Sequence, residues 1–271
     1  MPELPEVEIA ARQILAALGG RGPVRWVVPE PTRDAVLNDL AASSPSALLR
    51  VRRHGKQLAL DFDDGCTFQL HLGMTGRVES VTPGSKAPRH ARFLWLTNGG
   101  ECLAFVDTRR FARFGRRRTD AGPASADFAG LGPDALSATL ADWIEALARS
   151  RPVKPALLDQ ANLAGIGNIY ACEGLFLASI DPRCLARSLF PDRVAALRDG
   201  IRSSMETTLR RDGDGPMRYL NEGGVENPFG VYGRSGLPCP RCAHSIERFS
   251  QAGRSTWWCP SCQRGAPSDP G

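Results

Sequence analysis

Four of the eight cysteines restrict the fold more than any other feature of the chain. Cys239, Cys242, Cys259 and Cys262 form two CxxC pairs separated by sixteen residues. Two short knuckles closing on each other bring four thiolates to a tetrahedral Zn²⁺, and this spacing falls in the zinc-ribbon range. Four thiolates complete the coordination shell, so one such ion would be structural, with no open position for chemistry. Disulfides would use the same residues, but paired knuckles in a cytoplasmic protein argue against them. Cys66, Cys102, Cys172 and Cys184 are widely spaced in apolar surroundings and read as buried free thiols.

The opposite end of the chain carries a second signal. It begins Met1-Pro2-Glu3-Leu4-Pro5-Glu6-Val7-Glu8. Removal of Met1 would leave Pro2 as a secondary amine with a pKa of about 8, nucleophilic in part at neutral pH. Attack on a sugar carbon by such an amine collapses to an iminium, an electron sink that promotes elimination. Glu3 and Glu6 are close enough in sequence to move protons for it. A Met-Pro start before a helix whose first turn carries acids accounts for the same residues. The remainder of the chain decides between the two.

With 271 residues, 42% hydrophobic and 23% charged, the chain suits two globular domains and a small third module. No apolar run reaches the length of a membrane span, and Glu8 and Arg12 interrupt any signal-peptide pattern, so a cytoplasmic protein is expected. The net charge of +5 is modest but unevenly spread. Arg109, Arg110, Arg113, Arg116, Arg117 and Arg118 fall within ten residues, and Arg50, Arg52, Arg53 and Lys56 within seven. Clustered guanidinium forks suit phosphate, whereas a single basic run more commonly marks a solvated face.

The hydrophobic pattern predicts a helix over 3–19, ended by Gly19-Gly20, and then short β-like runs from about 22 to 116. Val24–Val28, Leu48–Val51, Leu58–Phe62, Thr67–Leu72, Phe93–Leu96 and Cys102–Val106 are the clearest. A helix packed on a β-sandwich follows for residues 1–119. Residues 120–135 read as a linker. Helical patterns near 137–149, 153–160, 168–178 and 191–211 place a helical domain at 136–225, its Gly-rich end from 212 reading as a mobile loop. The turn Gly165-Ile166-Gly167-Asn168 leads into one helix and can present N–H groups to a phosphate, although an ordinary helix–helix connection has the same signature. The zinc module occupies 226–264 and a flexible tail 265–271. The fold class is α+β.

Taken together, the motifs PELPEVE, HLGMTG at 71–76, DTRRF at 107–111, GIGNIYACE at 165–173, VYGR at 231–234, CPRC and CPSC resemble the formamidopyrimidine-DNA glycosylase and endonuclease VIII family. These are bifunctional base-excision repair enzymes, and the resemblance runs from Pro2 to about Gln263. PELPEVE, HLGM, RRF and VYGR bring the chain nearer the formamidopyrimidine branch. The resemblance implies a DNA glycosylase and abasic-site lyase acting as a monomer on damaged double-stranded DNA in the cytoplasm, associated with the nucleoid when bound. Residues 1–119 would be the catalytic sandwich and 136–225 a helix–two-turn–helix DNA-binding domain. Pro2 would be the Schiff-base nucleophile at C1′, Glu3 the catalytic acid and Glu6 a supporting acid. Lys56 would grip phosphate and donate a proton in β-elimination; Arg254, on the hairpin between the knuckles, would clamp phosphate and assist δ-elimination. His90, Arg109, Arg149 and Asn168 would contact DNA.

A base inside a duplex must be turned out of the stack, and the space it leaves must be filled. Met74, Arg109 and Phe111 are suited to this: an adaptable thioether, a planar cation and a wedge-shaped ring. Lys56, Asn168 and Arg254 come from separate modules, as expected of a surface that grips a bent backbone at several phosphates. Two departures stand out. Thr108 occupies the place of the family's proline in DTRRF, and the segment 219–229, where that branch caps 8-oxoguanine, is short. Formamidopyrimidine and 8-oxoguanine are thus the first expected substrates, oxidised pyrimidines the alternative. A zinc-dependent damaged-DNA-binding protein without catalysis is the rival from another class.

Overall fold

A computed structural model describes residues 2–118, 124–213 and 226–264. The segment 219–225 of the short capping loop, much of the mobile loop and the tail 265–271 lie outside the described residues. Two compact units are present, Met1–Ala129 with Arg211–Arg218, and Gly130–Arg210 with Tyr219–Gly271.

The first unit opens with α1 (Leu4–Leu18), one residue shorter at each end than the hydrophobic pattern predicts. Glu3 caps it, and Glu6 completes a capping box by accepting the Glu3 N–H at 2.8 Å. Leu4, Val7, Ile9, Ala10, Ile14 and Leu18 form its buried stripe. Eight strands follow: β1 (Pro23–Val27), β2 (Ser46–His54), β3 (Gln57–Phe62), β4 (Cys66–His71), β5 (Arg77–Ser80), β6 (Ala91–Thr97), β7 (Cys102–Val106) and β8 (Arg113–Arg118). A short helix, α2 (Ala35–Ala42), interrupts them after β1.

All pairings are antiparallel, in the order β5-β7-β6-β1-β2-β3-β4-β8. β1 meets β2 only at Pro23–Ala47 and Val24–Ser46, and there the sheet turns a corner into two four-stranded layers. Aromatic rings fill the space between the layers. Trp26 of β1 lies 4.8 Å from Phe68 of β4 and 5.3 Å from Trp95 of β6, and Phe93 of β6 lies 5.6 Å from Phe114 of β8. α1 packs against β2, β3, β5 and β7.

The second unit contains α3 (Leu140–Leu147), α4 (Val153–Leu157), α5 (Asn168–Leu177), all but the last two residues of α6 (Pro191–Asp212) and a hairpin of β9 (Glu247–Gln251) and β10 (Arg254–Trp258). Cys172 and Phe176 of α5 share an apolar cluster with Val231, Cys239, Ile246 and Cys259. The hairpin module is therefore seated on α5. Arg241, inside the first knuckle, donates to the carbonyls of Phe176 (2.8 Å) and Leu177 (3.0 Å) at the C-terminal end of α5. No helix among the described residues is long and apolar enough to cross a membrane.

Cys102 and Cys172 are buried, as expected, but Cys66 and Cys184 are only half-buried. Cys66 opens β4 next to the exposed Asp63-Asp64 turn, where Arg116 reaches its sulfur at 3.4 Å.

Candidate functional site

Pro2 and Glu3 are buried at the start of α1, and Glu6 is 8% exposed one turn later. Glu8, on the next turn, accepts from the Arg53 guanidinium at 2.8 Å. Burial works against the Glu8 carboxylate, but Arg53 and then Arg12 outweigh it and hold its pKa low. Arg53 also donates to the Gly55 carbonyl at 3.3 Å, so α1 is tied to the β2–β3 turn. That turn contains two residues, Gly55 and Lys56, between the paired His54 and Gln57. Gly55 sits at φ 55°, which a two-residue hairpin needs and glycine adopts without strain.

His71 closes β4 opposite Gln57, beside the Lys56 turn. Burial first, then the charges of Arg113 and Lys56, pull its pKa down to about 4. The ring is therefore neutral at pH 7. Its Nδ1 accepts the Gly73 N–H at 3.1 Å, which leaves the proton on Nε2. His71 opens the HLGMTG run, but in sequence alone it looks no different from a histidine packed at a strand end. Its register opposite Gln57 is the signal that places a neutral donor between two cations.

Met74, Arg109 and Phe111 occupy two adjacent turns. Met74 is 36% exposed in the turn after β4, and Phe111 is 50% exposed in the turn between β7 and β8. The Arg109 guanidinium lies 4.6 Å above the Phe111 ring. Gly73 brings the turns together: a Cβ there would lie 2.5 Å from the Phe111 carbonyl carbon, and its φ is +69°. His90 has φ 66°, and its carbonyl accepts the Asp107 N–H at 3.1 Å.

Arg50, Arg52 and Arg117 of the basic runs are held in ion pairs with carboxylates. Arg52 donates to both Asp61 (2.7 Å) and Asp127 (2.5 Å), and Arg117 pairs with Asp127 at 2.8 Å. Arg50 also pairs with Asp61, at 2.8 Å. These guanidiniums are committed to two buried carboxylates. Burial opposes the Asp61 charge, but Arg52, Thr67 and Arg50 prevail and bring its pKa down to about 2. Asp127 belongs to a short 3₁₀ turn at Ala124–Phe128, inside the stretch read as linker.

In the second unit the turn before α5 is braced by Gln160. Its Oε1 accepts from Gly165 N–H at 3.0 Å, and its Nε2 donates to Ile166 O at 2.9 Å. Asn168, the first residue of α5, donates its amide to Ser255 O at 2.9 Å. Lys154 of α4 donates to Thr256 Oγ1 at 2.9 Å and to Ser255 O at 3.3 Å. Two side chains from the helices therefore hold the strand that starts at Arg254, which is exposed beside the Ala252-Gly253 turn. Arg149 is exposed after α3 and donates to Asn162 Oδ1 at 3.2 Å. Glu173 of α5 is buried and accepts three N–H groups, from Gly230, Val231 and Tyr232, at 2.8–2.9 Å. Burial raises its pKa against the opposing pull of those donors. Lys154 and Glu173 have partners distant in sequence, and although Glu173 closes the GIGNIYACE run nothing in that run shows what it holds. The Gln160 side chain reaches only as far as Gly165 and Ile166 but lies outside every motif.

The sulfurs of Cys239, Cys242, Cys259 and Cys262 all lie within 4.8 Å of one another. Cys239–Cys262 are 3.8 Å apart and Cys242–Cys259 3.5 Å. Metal–sulfur bonds of about 2.3 Å in a tetrahedron put sulfurs about 3.8 Å apart, so the four residues fit a metal ion. The backbone N–H of His244, followed by Cys262, draws the Cys242 thiol down to about 6, whereas burial pushes the Cys259 thiol up and the Cys262 thiol up to about 12.

Three family models match the chain. They are the formamidopyrimidine-DNA glycosylase N-terminal domain over residues 1–114, the formamidopyrimidine-DNA glycosylase H2TH domain over 131–218, and the zinc finger found in FPG and IleRS over 236–265. The formamidopyrimidine-DNA glycosylase of Gluconobacter oxydans (strain 621H) is 36% identical, with 97% of this chain and 100% of that protein covered. Among solved structures, the MutM (Fpg) protein from Thermus thermophilus is similar with a TM-score of 0.78 and 33% identity, covering 98% of this chain and 100% of that one. Lactococcus lactis Fpg in complex with DNA containing an abasic site gives a TM-score of 0.83 at 26% identity, with 97% and 100% covered. Similarity passes through all three modules in the same order and along the full length of both partners. On that ground the chain belongs to the formamidopyrimidine-DNA glycosylase family.

Proposed function

We infer that this chain is a bifunctional DNA glycosylase and abasic-site lyase that removes oxidised bases from damaged double-stranded DNA. The observation that carries the reading is a family match over the whole chain, combined with an intact Pro2 start at a helix whose capping acids, Glu3 and Glu6, are both buried. A protein that only bound damage would need neither a free terminal amine nor acids around it.

In this reading the Pro2 amine attacks C1′ as the glycosidic bond breaks, and Glu3 supplies the proton that assists base loss and ring opening. Glu6 orients Glu3 through the capping box. The resulting iminium withdraws electrons, so loss of the C2′ proton expels the 3′ phosphate, and a second elimination expels the 5′ phosphate. Lys56 holds phosphate and returns a proton in the first step; Arg254 serves the second. Neutral His71, in register with Arg113 and beside the Lys56 turn, adds a donor to the same group. Asn168 holds the DNA backbone, His90, Arg109 and Arg149 contact DNA, and Met74, Arg109 and Phe111 fill the vacated stack. One structural zinc ion bound by the four cysteines fixes the hairpin bearing Arg254. The substrates are formamidopyrimidine and 8-oxoguanine, and the protein acts as a cytoplasmic monomer.

Borohydride trapping on abasic DNA tests the chemistry. A covalent adduct is expected with the mature protein and none with Pro2→Gly carrying an added N-terminal residue, which moves the terminal amine away from position 2. Absence of an adduct in mature protein, or an undiminished one in the variant, rejects the enzyme reading. A panel of lesion duplexes decides between oxidised purines and pyrimidines.

A further inference from the structure

Asp107 is fully buried and takes no part in the chemistry above, yet five hydrogen bonds converge on it. Its Oδ1 accepts the Thr75 hydroxyl at 2.6 Å and the Arg109 N–H at 3.3 Å, and its Oδ2 accepts the Ala112 N–H at 2.8 Å. Its own N–H reaches His90 O at 3.1 Å, and its carbonyl accepts the Arg110 N–H at 3.3 Å. Thr75 Oγ1 receives the Arg109 N–H at 3.1 Å while donating to the carboxylate. The carboxylate thus fastens both sides of the Arg109–Phe111 turn and the residue after Met74, and the main chain of the same residue holds the His90 turn.

The backbone at this point is not one that relaxes into place unaided. Arg110 (φ 56°) and His90 (φ 66°) are non-glycine residues in the left-handed region, which persists only where neighbours over-determine it. Met74, Arg109 and Phe111 are exposed at the surface of the turns that this network holds.

We propose that Asp107 and Thr75 are a positioning pair that sets Met74, Arg109 and Phe111 in one arrangement before DNA arrives. The proposal rests on the reading that these three side chains occupy the space left by the extruded nucleotide. A pre-set wedge enters the stack without first losing the freedom of two loops, so the pair acts on extrusion and leaves the chemistry at Pro2 alone. Thr75 is the informative position, because valine has the same shape without the hydroxyl. Thr75→Val leaves the Arg109 N–H and Asp107 Oδ1 with only their long 3.3 Å bond to each other, whereas Thr75→Ser keeps both hydroxyl bonds.

The test uses the full-length, zinc-loaded protein on two substrates: a duplex with an abasic site opposite a fluorescent purine analogue, and the same abasic oligonucleotide as a single strand. With Thr75→Val, the stopped-flow fluorescence rise that reports stack opening should slow about tenfold or more, the effect of one lost hydrogen bond to a charged group. Cleavage of the duplex should fall in parallel, while borohydride trapping of the single strand stays within about twofold. Thr75→Ser should match the parent protein on both substrates. An unchanged fluorescence rise in Thr75→Val overturns the proposal, as does equal loss on duplex and single strand, or equal loss in the serine variant. Failure of the parent protein to cleave or trap the abasic duplex rejects instead the functional reading on which the pair depends.

Discussion

A methyl group on residue 73 would lie 2.5 Å from the Phe111 carbonyl carbon, on a backbone at φ +69°. Gly73→Ala should therefore cost about 1–3 kcal/mol in chemical denaturation and weaken duplex binding more than single-strand binding. An unchanged unfolding midpoint would show that the two turns part more easily than their packing indicates. Residues such as Pro2, Met74 and the four cysteines are legible in sequence because each sits inside a short run of matching neighbours. Asp107 is not, although it lies in one of those runs. Its partners at 75, 90, 109 and 112 come from three turns, and only the folded sheet brings them together. His71 is a similar case, because the burial that lowers its pKa most, and the Arg113 charge that adds to it across β4 and β8, exist only in the folded sheet.

Among the elements, the pairing of Asp61 and Asp127 with arginines of β2 and β8 makes a pH prediction. Asp61 has a folded pKa of about 2, below its ordinary value. Its contribution to stability is complete above about pH 4 and disappears as pH falls through about 2. Unfolding titrations should show that loss in the parent protein, and Asp61→Asn should be less stable at pH 7 by about 1–2 kcal/mol, with the gap narrowing toward pH 2. A gap that stays constant across this range would dissociate Asp61 from the acid sensitivity. Most strands were legible from apolar runs bounded by turn residues, and α1 from its stripe and the Gly19-Gly20 stop. β8 was not, because Arg113-Phe114-Gly115-Arg116-Arg117-Arg118 reads as a charged run until Asp127 is placed beside it. α2 was hidden by its length: eight residues, with Asp34 as its N-cap, stand among strand-like segments. β5 is four residues long, too short for alternation to register.

For the whole molecule, the proposed phosphate grip predicts steep salt dependence, with a slope of about −0.9 per neutralised phosphate on duplex DNA. Lys56→Ala and Arg254→Ala should each flatten the slope of log affinity against log salt by about one unit. Binding isotherms at several salt concentrations with unaltered slopes would remove both residues from the grip. Cys259→Ser, at a fully buried ligand position, should release the metal and weaken DNA binding, while a zinc-indicator assay and circular dichroism show the remaining fold retained. The three modules were legible because each has its own chemistry of sequence; the bonds that join hairpin to helices were not. Arg241 stacks on Phe176 at 4.3 Å as it caps α5, and Gln263 carries the second knuckle to Ile180 O at 2.9 Å. The metal-binding segment is therefore no interchangeable cassette: transplanted to a foreign scaffold, it would have to bring α5 with it as a graft.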